Sequence, residues 1–200
     1  MLDRDWPQLQ KVLVETLPAG DPVLDQALGI SWTDGKDVLM ELVFSGHTEL
    51  LEWLVDHGLE SNLPWGPNNS TMLHAAMQAG RSDVADILFN HGALVDARAD
   101  WNTTPLLRAA ASQQPGMIKW LADHGADMLA VDTNGWTALH HAALAGDLDS
   151  VKVLVDNGLM KEALNNNGHT AQDEAIDFGH QEVADYLAPQ DPFENEVVAA

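Results

Sequence analysis

The stretch Asp132-Thr133-Asn134-Gly135-Trp136-Thr137-Ala138-Leu139-His140-His141-Ala142-Ala143-Leu144-Ala145-Gly146 decides the fold, with its continuation Asp147-Leu148-Asp149-Ser150-Val151-Lys152-Val153-Leu154-Val155-Asp156-Asn157-Gly158. Asn134-Gly135 is a tight-turn dipeptide, Thr137 is placed to cap the helix that follows, and Gly146 can take the left-handed geometry that ends it. A second helix then runs to Gly158. Leu139, Ala142, Ala143, Val151, Leu154 and Val155 fall at helical spacing, and the alanines among them are small enough for neighbouring helices to approach closely.

The unit recurs along the chain. Thr71, Thr104, Thr137 and Thr170 stand 33 residues apart, and Ala76, Ala109, Ala142 and Ala175 keep the same spacing, as do Gly92, Gly125 and Gly158. A further copy lies upstream, where Gly35, Leu39, Gly46, Leu54 and Gly58 hold the order, with Asp37 in place of the threonine and one extra residue before Thr71. Such an array has no deep one-piece core to house chemistry and presents an extended surface to a partner.

The motifs Thr71-Met72-Leu73-His74, Thr104-Pro105-Leu106-Leu107 and Thr137-Ala138-Leu139-His140, each after a turn and before alanine, give the family. They resemble the ankyrin repeat. The resemblance implies an all-α solenoid of about five helix-turn-helix repeats with short β-turn fingers and a helical N-terminal cap. Residues 1–31 are read as that cap, with Trp6, Leu9, Val12, Leu13 and Leu17 on one amphipathic helix and Asp21-Pro22 opening a second. The repeats are read as 32–65, 66–98, 99–131, 132–164 and 165–188. In the last of them Gln172 and Glu174 are read as replacing core leucines, as a terminal repeat with a polar outer face requires. Residues 189–200 read as a flexible acidic tail.

Against 31 Asp and Glu there are 9 Lys and Arg, a formal charge of -22, and between Glu162 and Ala200 no Lys or Arg occurs at all. Such a field repels nucleic acid and anionic membrane and favours a basic protein partner. The chain contains no cysteine, which excludes disulfides and thiolate chemistry, and no apolar run approaches the roughly 18 residues of a membrane span. With no leader pattern at the N-terminus, the expected location is cytoplasmic.

The resemblance also places a partner on the finger tips and on the exposed face of each first helix. Carried onto this chain, those positions are Lys36 and Phe44 in the first unit, Asn68 and Gln78 in the second, and Asp100, Trp101, Thr103 and Ser112 in the third. The fourth supplies Asn134, Trp136 and Leu144, and the fifth Asn167, His169, Asp177 and Phe178. Trp65, in the enlarged loop before the second unit, joins them as an aromatic beside a finger, as Trp32 does in the first; large aromatics on a polar surface mark binding hot spots. Trp53 and Trp120, equivalent in second helices, are expected to pack.

No metal, cofactor or catalysis is expected. His74 and His140 are the residues that in the family bridge successive turns, and His57, His91 and His124 each precede the glycine that ends a second helix. There is no glycine-rich phosphate loop before a lysine and no nucleophile elbow, and Asp173-Glu174, adjacent on a helix, point to different faces. The expected function is therefore occupancy: a small acidic binder covering a basic site, as an immunity or antitoxin-like inhibitor does. A scaffold joining two proteins and an acidic nucleic-acid mimic are the alternatives.

Overall fold

The computed structural model describes residues 6–30, 35–65 and 67–189. Among them are twelve α-helices and no strand: α1 (Trp6–Thr16), α2 (Pro22–Leu28), α3 (Gly35–Ser45), α4 (Thr48–Asp56), α5 (Met72–Ala79) and α6 (Ser82–Asn90) in the first half. The second half holds α7 (Pro105–Ala111), α8 (Pro115–Asp123), α9 (Ala138–Ala145), α10 (Leu148–Asp156), α11 (Ala171–Asp177) and α12 (Gln181–Leu187). The helices form antiparallel pairs stacked in two layers. The inner layer runs α3, α5, α7, α9, α11, each packed on the next, and the outer layer includes α2 on α4, α4 on α6, α8 on α10 and α10 on α12.

The spacing of small residues explains the stacking. Ala76, Ala109, Ala142 and Ala175 are wholly buried where successive inner helices meet, with Leu73, Leu106 and Leu139 beside them. Leu54, Leu88, Leu121 and Leu154 do the equivalent work in the outer layer. Trp120 packs as its register predicts: it is buried, its indole N–H donates to Asp86 (2.7 Å), and Phe89 meets it edge-on, filling the space between α8 and α6. Trp53, half-buried, stacks on His57.

The N-terminal pair packs on the first repeat: α2 continues the outer layer onto α4, and Gln26 there accepts a hydrogen bond from the Leu50 backbone N–H (3.0 Å). One sequence reading changes. Glu174 does not replace a core leucine or face outward. It stands 33 residues after His141, is 5% exposed, and accepts a hydrogen bond from Asn165 (2.9 Å), so this carboxylate is held inside the last repeat. Gln172, half-buried where Leu139 stands one repeat earlier, bonds the Ala184 carbonyl (3.2 Å). Trp32 and residues 190–200 lie outside the described residues, as does the side chain of Trp6.

The glycines that end inner helices also mark close approach between repeats. Gly146 is left-handed (φ +71°), and the His180 ring of the next repeat lies over its Cα while donating to the Leu144 carbonyl (3.0 Å). Gly92 has a similar φ (+82°) with open space where a Cβ would go. Gly92→Ala is therefore expected to cost about 1 kcal/mol, from backbone strain alone. Gly146→Ala should cost visibly more, because His180 must also move; urea midpoints of the two variants check this, and equal losses would remove the packing argument.

Candidate partner-binding surface

Each finger is a short hairpin between an outer helix and the next inner helix. Backbone bonds close it from Trp65 N–H to Ser70 O (2.9 Å), Ala99 to Thr103 (2.9 Å), Asp132 to Trp136 (3.1 Å) and Asn165 to His169 (2.9 Å). Fingers are tied to one another as well. Thr133 N–H donates to the Trp101 carbonyl (3.0 Å), Asn166 N–H to the Asn134 carbonyl (2.9 Å), and the side chains of Asn69 and Asn102 reach Asp100 and the Val131 carbonyl (both 2.7 Å). The row of fingers is thus a continuous hydrogen-bonded edge.

Turn type separates the finger tryptophans. In the second and third fingers two consecutive residues are left-handed: Asn68 and Asn69 (φ 60° and 56°), then Trp101 and Asn102 (φ 54° and 62°). In the fourth, Gly135 alone carries the positive φ among the corresponding pair. Asparagine tolerates this region, whereas a bulky residue there is a true outlier. Trp101 is 61% exposed at that strained position. Trp136 is half-buried and tilts over the rings of His140 and His141. Trp65 is no exposed anchor: at 7% exposure it lines the floor of the groove behind the second finger.

At the C-terminal ends of the inner helices stand Phe44 (43% exposed), Gln78, the half-buried Ser112 and Leu144, then Asp177 and Phe178 (60% exposed). Asn68, Asp100, Asn134 and Asn167 are exposed finger residues, and Thr103 and His169 are partly covered. Asp100 is engaged by Asn69, and His169 faces Glu174 (3.4 Å), so neither is wholly free for a partner. Thr33, Asp34 and the side chain of Lys36 lie outside the described residues.

Two features escaped the sequence reading. A cavity of about 260 Å³ lies between α3, α5 and the second finger, with Met40, Val43 and Arg108 among its lining. Arg108 shares the 33-residue register of His141, a signal that was available. The second is apolar: Leu129, Met160 and Leu164 are more than 60% exposed, and beside them Met128, Leu129, Leu159, Met160 and Ala163 line a second cavity of about 200 Å³. These residues belong to the segments after α8 and α10 and share nothing with the groove lining.

The histidines hold the fingers to the helices. His74 Nδ1 accepts from the Thr71 backbone N–H (3.2 Å) and Nε2 donates to the Thr103 carbonyl one repeat on (3.1 Å); His140 does the same with Thr137 (3.3 Å) and His169 (3.0 Å). His57, His91 and His124 each bond the carbonyl four residues back at 2.7 Å, closing the ends of α4, α6 and α8. Among the described residues no group of three or more His, Asp or Glu is placed to hold a metal.

Burial pushes His74 down to about 4 and lowers His140 and His141, the last although Asp132 lies 3.4 Å away. In the unfolded chain these rings titrate near the ordinary histidine value of about 6.5. A folded pKa below the unfolded one means that the unfolded state binds more protons, so stability is full above about pH 6.5 and is lost as pH falls from there towards about 4. Asp83, bonded by Arg81, and Asp173, bonded by the Thr170 backbone and hydroxyl, extend the loss to lower pH, whereas His91, raised by the Ile87 carbonyl and by Asp56, acts in the opposite sense. Unfolding free energies measured between pH 7 and 5 should therefore fall for the native chain. His74→Leu, which puts the residue type of Leu107 at the same register, should cost about 1–3 kcal/mol at pH 7 and show a flatter pH dependence.

Trp101 allows a second stability test. Holding a tryptophan in the left-handed region costs on the order of 1–3 kcal/mol, and its exposed ring recovers little of that by packing. Trp101→Asn, which copies Asn68 of the finger before, is expected to raise stability by about 1 kcal/mol; a loss of stability in chemical denaturation would show that the ring supports the fold.

A family model described as ankyrin repeats, in three copies, matches residues 11–99, 39–132 and 106–197. The chain is also 34% identical over 93 residues to serine/threonine-protein kinase 12 of Arabidopsis thaliana. That alignment covers 46% of this chain and 20% of the relative, so the chain spans only a fraction of the length of that protein. No described helix is long and apolar enough to cross a membrane.

Proposed function

The chain belongs to the ankyrin-repeat family, and from that membership we propose that it is a non-catalytic protein that binds and inhibits a basic protein partner through its fingers and inner-helix face. The family implies an interaction module with protein partners. The observation that carries the finer reading is Trp101, a large aromatic held 61% exposed at a strained finger tip where it adds little to the fold. Phe44 and Phe178, both exposed on the inner-helix side, give the same surface two more apolar anchors.

A formal charge of -22 supports a basic partner, because a field of that size speeds and orients docking of a positive surface. Inhibition follows from occupancy: a partner whose basic active site lies against the groove is covered by it, as an immunity or antitoxin-like protein covers its toxin. The lack of cysteine fits action in the cytoplasm. The exposed Leu129, Met160 and Leu164, away from the groove, favour one second reading, an adaptor that holds another protein on that face.

Capture from native lysate followed by mass spectrometry tests both readings. The expected partner is basic and loses activity on binding; an acidic partner with unaltered activity would sink the inhibitor, and a ternary complex with activity retained would favour the adaptor. Trp101→Ala and Phe178→Ala should each weaken binding by more than about 1 kcal/mol. Affinity should also drop several-fold as ionic strength rises from about 0.05 to about 0.5 M.

A further inference from the structure

The cavity behind the second finger differs in character from the rest of the surface. Its walls are mostly apolar surface, with Met40 and Val43 from α3, Met72 and Ala75 from α5, and the buried Trp65 at the finger side, and Asn68, Ser70 and Gln78 add polar groups. Among the described residues that line it, Arg108 is the charged one. Arg108 of α7 lines its edge, half-buried, and no carboxylate pairs with that guanidinium among the described residues, although Arg81 is paired with Asp83 and Lys119 with Asp123. His74, also on the wall, is neutral at pH 7. An unpaired cation on the groove face thus reverses locally the sign of a chain whose formal charge is -22.

We propose that this cavity receives a segment of the protein partner carrying a large apolar side chain with a carboxylate within about three residues of it, the side chain filling the cavity and the carboxylate pairing with Arg108. At about 260 Å³ the space is near the lower limit of small-molecule clefts and suits a side chain better than a cofactor. A guanidinium fork binds carboxylate through two parallel hydrogen bonds, which fixes orientation as well as position. The acidic surface attracts a basic partner from a distance, and the positive charge of Arg108 at the cavity sets the register in which it docks, since a basic residue at that point is repelled. The inference rests on the groove-binding reading above.

Selection of random 12-residue peptides displayed on phage, against the full chain and against its Arg108→Glu variant, tests it. The native chain should enrich peptides with a large apolar residue and a nearby Asp or Glu. Arg108→Glu should enrich Lys or Arg in place of the acid and weaken the original peptides at least tenfold. Ala75→Leu, at a register that already accommodates Arg108 and His141, should block the cavity and abolish their binding without unfolding the chain. Peptides that lack an acid, the same motif from both proteins, or no enrichment at all would overturn the proposal. Peptides that depend on Trp101 but are unaffected by Arg108→Glu and Ala75→Leu would overturn it while leaving the groove reading intact. Decanoate binding by calorimetry, if tighter than any selected peptide and lost with Arg108→Glu, would assign the cavity to a small amphiphile instead.

Discussion

The close approach of the inner helices is the constraint from which the other features follow. Ala76, Ala109, Ala142 and Ala175 put a methyl group where the outer layer has leucines, and Trp120 stands in that outer layer as well. Small residues on one side of a stack and larger ones on the other turn each helix pair slightly against the last, as in other solenoids. The free side of the inner helices and the row of fingers become the two walls of a groove, and the cavity beside Met40 and Val43 lies where these walls meet. Each helix pair depends on its neighbours for burial, so the cost of a bulky residue in the alanine column is felt at two interfaces.

The same closeness draws the bases of the fingers against the helices, and their polar groups need partners there. His74 and His140 supply them by linking the start of one inner helix to the finger of the next repeat. Leu107 cannot, and that junction keeps only the bonds between fingers: Thr133 donates to Trp101 and Asn102 to Val131. The repeats are therefore joined by two devices, the imidazole bridge and the bonds between fingers, which act together wherever the histidine is present. Neutral imidazole suits the first device because it offers one acceptor and one donor at fixed separation. Burial, which holds these rings neutral, makes the same contacts weaken on acidification.

What the sequence made legible was whatever depends on the period. Helix ends, the alanine column, the structural histidines and the packing of Trp120 all follow from register alone. Exposure in the loops does not. Trp65 and Trp101 look alike as aromatics near a finger, yet one is buried and the other open, because Trp65 closes the base of its hairpin whereas Trp101 is one of the two left-handed residues of the tip. Glu174 was misplaced for a different reason: its register, 33 residues after His141, is half-buried in the earlier repeats, and a carboxylate there looks like surface until Asn165 is seen to hold it. Arg108 was the opposite case, legible by register and by its sign in an acidic chain, with its significance hidden until the cavity beside it was seen.

Magnitudes show why the strain at Trp101 persists. A tryptophan in left-handed backbone costs on the order of 1–3 kcal/mol. Against it stand the bonds that define the same turn: Ala99 to Thr103, Thr133 to the Trp101 carbonyl, Asn69 to Asp100 and Asn102 to Val131. At about 0.5–1.5 kcal/mol each, these four outweigh the strain, and none of them uses the indole. The turn is thus fixed by groups that would be present with asparagine at this position, and the ring is carried along by a backbone it does not shape. A side chain that strains the fold, contributes little packing and stays exposed is best explained by what lies outside the chain. On the proposed reading the finger edge is a rigid mount for an aromatic anchor, with its ordering entropy already spent before a partner meets it.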